Sequence, residues 1–187
     1  PEQILMATFT EKAAKELVTR ITNELAVRNI YVNVNEMYIG TFHSLCLRII
    51  KDNLEFTQLK KNYRLLDSFD QKYLVFRNIQ KFRNIADIEL VMPNGGAWKW
   101  AEAICGLVGT LTEELVDADA MAKDSKTEIR VLSAILKQYQ QLLTDENQID
   151  FAKRQTECYR LLKENPAILS DLKEKIHYLM IDEYQDT

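Results

Sequence analysis

The 187-residue chain carries 24 Lys/Arg against 28 Asp/Glu, a net charge of -4, and is 47% hydrophobic, enough to bury the core of one domain, or of one domain with an insertion. Its three cysteines, Cys46, Cys105 and Cys158, show no paired spacing, which argues against a zinc site or a disulfide framework and fits a reducing, cytosolic setting. No apolar run reaches 18 residues and no charged-then-apolar leader opens the chain, so neither a membrane partner nor secretion is expected.

In chain order, Gln3 to Thr8 is a short apolar run that stops at polar residues, as a buried strand does. Ala14, Leu17, Val18, Ile21 and Leu25 then recur at helical spacing, with Thr10 placed as an N-cap. The unit repeats: Glu36 to Gly40 reads as a strand, and Thr41 can cap a helix burying Leu45, Cys46, Ile49 and Ile50. A long, mainly helical middle follows, interrupted by a loop at Pro93-Asn94-Gly95-Gly96. Its clearest element spaces Ile129, Leu132, Leu136, Tyr139 and Leu143 by 3, 4, 3 and 4 residues. A further helix is expected from about Asp150 to Glu164, ended by Asn165-Pro166. Finally Tyr178 to Ile181 is again a four-residue apolar run, halted by acids. Apolar strands of this kind, buried on both faces, indicate an α/β fold with a parallel, helix-covered sheet in which helix dominates.

Charge is unevenly spread. Residues 47 to 83 hold nine Lys/Arg against four acids, hence +5, which leaves -9 for the remainder. Such a stretch is either a solvated set of helix faces or a surface for an acidic partner such as nucleic acid. Trp98 and Trp100, beside the Gly-Gly loop, are either an exposed stacking pair or partly buried.

The last ten residues carry the most specific chemistry. An apolar strand ending in Asp182-Glu183 fixes two carboxylates at a sheet edge. There the first can hold the magnesium of ATP and the second can orient or deprotonate a water. The full string Asp182-Glu183-Tyr184-Gln185-Asp186-Thr187 resembles the Walker B motif of superfamily 1A DNA helicases of the UvrD/Rep/PcrA type. Ala7-Thr8-Phe9-Thr10-Glu11-Lys12-Ala13-Ala14 resembles helicase motif Ia, and Gly40-Thr41-Phe42-His43-Ser44-Leu45 motif Ib, in the family's order. Arg64 to Gln71 is similar to the family's Ile-Leu-Asp-x-x-Asp-Gln segment, and Ile149-Asp150-Phe151 stands at its Asp-Phe-Asp-Asp box. Residues 84 to 125 match least.

The resemblance implies a partial RecA-like P-loop NTPase motor domain, 1A, at 1–67 and 146–187, holding a helical 1B insertion at 68–145. It implies magnesium binding through ATP at Asp182, catalytic roles for Glu183 and Gln185, and single-stranded DNA contacts at Thr8, Phe9, Thr10, Thr41, Phe42 and His43. The motif Ia and Ib residues suit phosphate independently, since each group offers hydroxyls and a helix N-terminus beside a phenyl ring. They also have a plainer reading, the Thr residues as caps and the Phe residues as core, and both roles can hold for one residue. His177 is read as structural. The implied parent is a bacterial, cytoplasmic, ATP-dependent helicase that translocates on single-stranded DNA, usually 3′ to 5′, and unwinds duplex DNA in replication or repair. Its partners are DNA and the rest of its own chain, domains 2A and 2B. A helicase-nuclease of the AddA/RecB kind, or a binding module with a degenerate motor core, remains an alternative.

Three departures qualify this. Position 11 is Glu where the family has Asn, which suits the helix dipole but repels phosphate if it points that way. The Asp-Phe-Asp-Asp box reads Asp150-Phe151-Ala152-Lys153, so Ala152 and Lys153 are given no role. None of the five glycines forms a Gly-x-x-x-x-Gly-Lys-Ser/Thr loop, the Walker A element that would cradle the triphosphate. The 187 residues are therefore expected to be an internal fragment that neither holds ATP and magnesium nor hydrolyses ATP alone.

Overall fold

The computed structural model describes residues 1–186; Thr187, which closes the acidic string, lies outside them. In chain order the elements are β1 (Ile4–Thr8), α1 (Glu11–Val27), β2 (Tyr38–Thr41), α2 (Phe42–Asp52), β3 (Arg64–Leu65), α3 (Ser68–Arg77), α4 (Ile79–Arg83), α5 (Ala97–Glu113), α6 (Ala118–Met121), α7 (Thr127–Asp145), β4 (Gln148–Ile149), α8 (Phe151–Glu164), α9 (Pro166–Lys175) and β5 (Tyr178–Ile181). Helix dominates, around a small parallel sheet, as the α/β reading requires. Two compact units form: Pro1–Phe56 with Glu157–Thr187, and Thr57–Thr156.

The first unit is built on a three-stranded parallel sheet of order β2-β1-β5. Ala7, Tyr38 and Leu45 form its buried centre. On α2, Leu45, Cys46, Ile49 and Ile50 are buried, as their spacing requires. Arg48 is used internally, its guanidinium 3.8 Å from the Tyr38 ring centroid and donating to the Met37 carbonyl at 2.9 Å. Cys46 meets Cys158 of α8; donating a hydrogen bond to Cys46, together with burial, pushes the Cys158 thiol up. The apolar stripe of α1 is less covered than its spacing implies, for only Ala14 is buried.

One expectation is corrected. The Tyr178–Ile181 run does form a strand, but it is not buried on both faces: Tyr178, Leu179 and Met180 are all exposed. The reason is cover. β2 is an edge strand too, yet α1 and α2 pack against it and it is largely buried, whereas β5 makes its main contacts with β1; an apolar run specifies extended chain without specifying what covers its faces.

The second unit is a helical assembly. Leu74 and Val75 of α3, Ile79 and Phe82 of α4, Ile104 and Val108 of α5, and Ile135, Leu136 and Leu142 of α7 close its core. The buried face of α7 is broader than the stripe read from spacing, since Val131, Ile135 and Leu142 join Leu136, Tyr139 and Leu143. Burial lifts the Cys105 thiol to about 12, with Asp150 adding to the effect, so it stays protonated at neutral pH. The parallel pair β3–β4 aligns Arg64 with Gln148 and Leu65 with Ile149. Pro166 ends α8 and opens α9 within its first turn, since a proline needs no N–H there.

Candidate functional site

The sheet register sets the site. Thr8 pairs with Thr41, and Ala7 with both Gly40 and Ile181, so all three strands end together. Residues just beyond them lie at the carboxyl edge, where ligands of open parallel sheets bind. That edge therefore collects Thr8-Phe9-Thr10 after β1, Thr41-Phe42-His43 at the end of β2, and Asp182-Glu183 after β5. A groove of about 500 Å³ runs past it, lined among others by Thr8, Ala13, Glu16, Arg20, Met180 and Asp182.

The threonine hydroxyls work inside the fold. Thr10 caps α1, its Oγ1 accepting from the Ala13 N–H at 3.1 Å. Thr41 caps α2, accepting from the Ser44 N–H at 3.2 Å. Thr8, itself buried, donates to the Thr10 carbonyl at 3.1 Å. The phenyl rings differ: Phe9 is 66% and Phe42 41% exposed at the same edge, where the core would have claimed them had they been structural. His43 is half-buried in the first turn of α2.

Glu11 is the residue whose direction the sequence left open. Its carboxylate turns to the neighbouring motif and accepts from the Thr41 hydroxyl at 3.0 Å. One carboxylate thus ties the start of α1 to the start of α2, and Thr41 both donates and accepts. Gly40 and Ser44 stand in the motif Ib string without an assigned role, and the structure packs them against each other. A Cβ on Gly40 would stand 2.3 Å from Ser44 Oγ, which donates to the Thr41 carbonyl at 2.9 Å. Gly40→Ala is expected to force that hydroxyl aside and cost about 1–3 kcal/mol; a urea midpoint equal to the parent chain's would refute this. The signal was the small residues flanking Thr41-Phe42-His43.

The acidic end is held by the main chain. The Asp182 N–H donates to the Ala7 carbonyl at 2.9 Å, extending the β1–β5 ladder to the first acid. Asp182 Oδ1 accepts from the Glu183 N–H at 3.1 Å. Glu183 then takes a left-handed φ of 52°, a conformation that costs a side-chain-bearing residue about 1–2 kcal/mol, and such strain gathers at functional positions. The Gln185 amide donates to the Glu183 carboxylate. Asp182, Glu183 and Gln185 are all exposed.

Among the described residues no three Asp, Glu, His or Cys side chains gather as a metal cage. Magnesium held through nucleotide needs only one or two carboxylates and takes its other ligands from phosphate and water. Asp182, an exposed oxygen donor at a strand end, fits that part. No helix among the described residues is long and apolar enough to cross a membrane.

Comparison with known proteins identifies the family of the chain. The chain is 31% identical over its whole length to a probable DNA helicase II homolog of Rickettsia felis, and 31% to one of Mycoplasma capricolum. It is 29% identical to the ATP-dependent DNA helicase PcrA of Bacillus subtilis, again over its whole length. It spans 27%, 24% and 23% of those three proteins, about a quarter of each. The family description "UvrD/REP helicase N-terminal domain" matches residues 1–187, and the chain belongs to that family.

Proposed function

We propose that this chain is the part of an ATP-dependent DNA helicase that grips single-stranded DNA and carries the acids of ATP hydrolysis. The observation that carries the reading is the parallel register, which lines up the ends of three strands and with them both DNA-facing motifs and the acidic pair. In this reading residues 1–67 and 146–187 belong to the first RecA-like motor domain, 1A, and 68–145 to the inserted helical subdomain, 1B. The parent translocates on single-stranded DNA and unwinds duplex DNA; its further partners are its own 2A and 2B domains, and its setting the bacterial cytoplasm.

Each residue does a definite job. Phe9 and Phe42 offer ring faces to bases, which stack on them irrespective of sequence. The opening turns of α1 and α2 aim backbone N–H groups at phosphate, with Thr8, Thr10 and Thr41 holding those turns in shape and His43 beside them. Asp182 would hold magnesium, which when bound neutralises charge on the phosphates. Glu183 orients the attacking water and accepts its proton, and Gln185 holds the Glu183 carboxylate in place. We also propose that the 187 residues alone turn over no ATP, because they contain no Walker A loop to seat the phosphates.

Fluorescence anisotropy with labelled oligothymidylate tests the DNA reading. Binding is expected to weaken with salt, and Phe9→Ala and Phe42→Ala are each expected to raise Kd about 5- to 150-fold, the equivalent of one lost base stack. Binding indifferent to both substitutions would sink it.

A further inference from the structure

The basic stretch and one of the two tryptophans singled out in the sequence, Trp98, meet on one surface of the second unit. Phe69, Tyr73 and Phe76 recur at spacings of 4 and 3 on α3 and so share a face. The other side of α3 is anchored in the core by Leu74 and Val75, which holds the three rings at the surface. Trp98, in the first turn of α5, joins them, its ring centroid 5.9 Å from Phe69 and 5.5 Å from Phe76. The Phe69 and Tyr73 rings lie within 5° of parallel at 6.3 Å. Phe69 is 63%, Tyr73 50%, Phe76 37% and Trp98 41% exposed. The structure thus divides the tryptophans, for Trp100 is half-buried, donating its indole N–H to the Pro93 carbonyl at 3.0 Å with Arg83 over its ring.

Four contiguous exposed rings call for an occupant. Charge selects it: residues 57 to 83 hold seven Lys/Arg against two acids, while residues 84 to 156 hold seven against twelve. Three of the four rings belong to the basic part. Lys72 and Arg77 lie on the same helix, each in a surface ion pair, with Glu102 and Glu146 respectively. Such pairs contribute little and exchange readily for another anion. The helix also shows rings without exposed aliphatic side chains, since Leu74 and Val75 are buried. Flat faces on a helix that carries Lys72 and Arg77 against the single acid Asp70 suit unpaired bases with their phosphates better than they suit a protein groove. We propose that Phe69, Tyr73, Phe76 and Trp98 form a stacking platform for single-stranded nucleic acid, carried wholly by the second unit and independent of the sheet-edge reading.

The test uses the emission of Trp98 in the 187-residue chain carrying Trp100→Phe, titrated with oligothymidylate. Saturating oligonucleotide is expected to quench Trp98, with a midpoint that rises with salt. Phe69→Ala and Tyr73→Ala, both at exposed positions, are expected to shift that midpoint about 5- to 150-fold, while Tyr31→Ala, at an exposed position of the first unit, leaves it in place. On the unsubstituted chain, photo-crosslinking with bromouracil-substituted oligonucleotide should map to this patch, which keeps the test decisive if Trp100→Phe disturbs folding. Unchanged Trp98 emission, crosslinks elsewhere, or a quench abolished by Tyr31→Ala alone would each overturn the platform. So would self-association, dissolved by Tyr73→Ala in light scattering, without any response to oligonucleotide, which would make the patch a protein interface.

Discussion

Asp150→Ala is expected to destabilise the chain by about 2–4 kcal/mol, the loss of a helix cap together with a buried donor left unsatisfied. Asp150 is buried, and its carboxylate accepts from neutral donors. Oδ2 accepts from the Tyr139 hydroxyl and from the Gln71 amide, the latter at 3.1 Å, and the Gln71 amide also donates to Tyr139 at 2.9 Å. Oδ1 accepts from the Lys153 N–H at 2.7 Å, which makes Asp150 the N-cap of α8. Alanine removes the cap, worth about 1 kcal/mol, and leaves the buried Tyr139 hydroxyl without its acceptor, about 1–3 kcal/mol, while the Gln71 amide keeps Tyr139 as a partner. Burial, reinforced by the Asp150 carboxylate, pushes the Tyr139 phenol far above its ordinary range, so it remains a donor at every working pH. Asp150→Asn keeps a cap oxygen and an acceptor and should cost clearly less. Urea unfolding with an unchanged slope would measure both; an alanine variant within about 1 kcal/mol of the parent chain would show that the network is dispensable.

Glu183→Gln is expected to lower kcat for ATP about 10²- to 10⁴-fold in a longer chain that supplies the remaining ATPase elements, the usual worth of a positioned general base. The substitution keeps the size of the side chain and an oxygen to accept from Gln185, so nucleotide affinity should stay near that of the unsubstituted protein. It removes the proton acceptor from a residue whose backbone is already held at φ 52° beside the pinned Asp182. Phosphate release under saturating ATP reads the loss. A reduction of less than tenfold would remove Glu183 from the chemistry, and turnover by the 187 residues alone, abolished in Asp182→Ala, would overturn the proposal that they are inactive.

Much of this was legible in the residues themselves. Thr10 and Thr41 mark the starts of α1 and α2 because a hydroxyl before an apolar-periodic run is a cap, and the structure uses both in that way. The same local pattern could not say that Thr8, Thr10 and Thr41 all spend their oxygens inside the protein, since that depends on what folds against them. The strand at Tyr178 was legible and its exposure was not, because periodicity reports extended chain and leaves open what covers its faces. Pro166 reads as a stop, and α9 beyond it went unseen because the same proline also suits the first turn of a helix. β3 and β4 are two residues each and meet across most of the second unit, too short for any periodic signal. Glu11 was visible as a departure, but only tertiary structure turns it toward Thr41.

The sheet joins the two ends of the chain, Ile4 beside Tyr178 and Ala7 beside Ile181. The second unit is one continuous stretch, Thr57–Thr156, and can collapse as soon as it has been synthesised. The β1–β5 ladder cannot form until Tyr178–Ile181 has been made, and it must close a loop that contains the whole helical unit. During synthesis, β1 can pair with β2 early but must wait for β5 until the helical stretch has emerged. Asp182 and Glu183 therefore reach the sheet edge after the residues of the helical unit are available to fold.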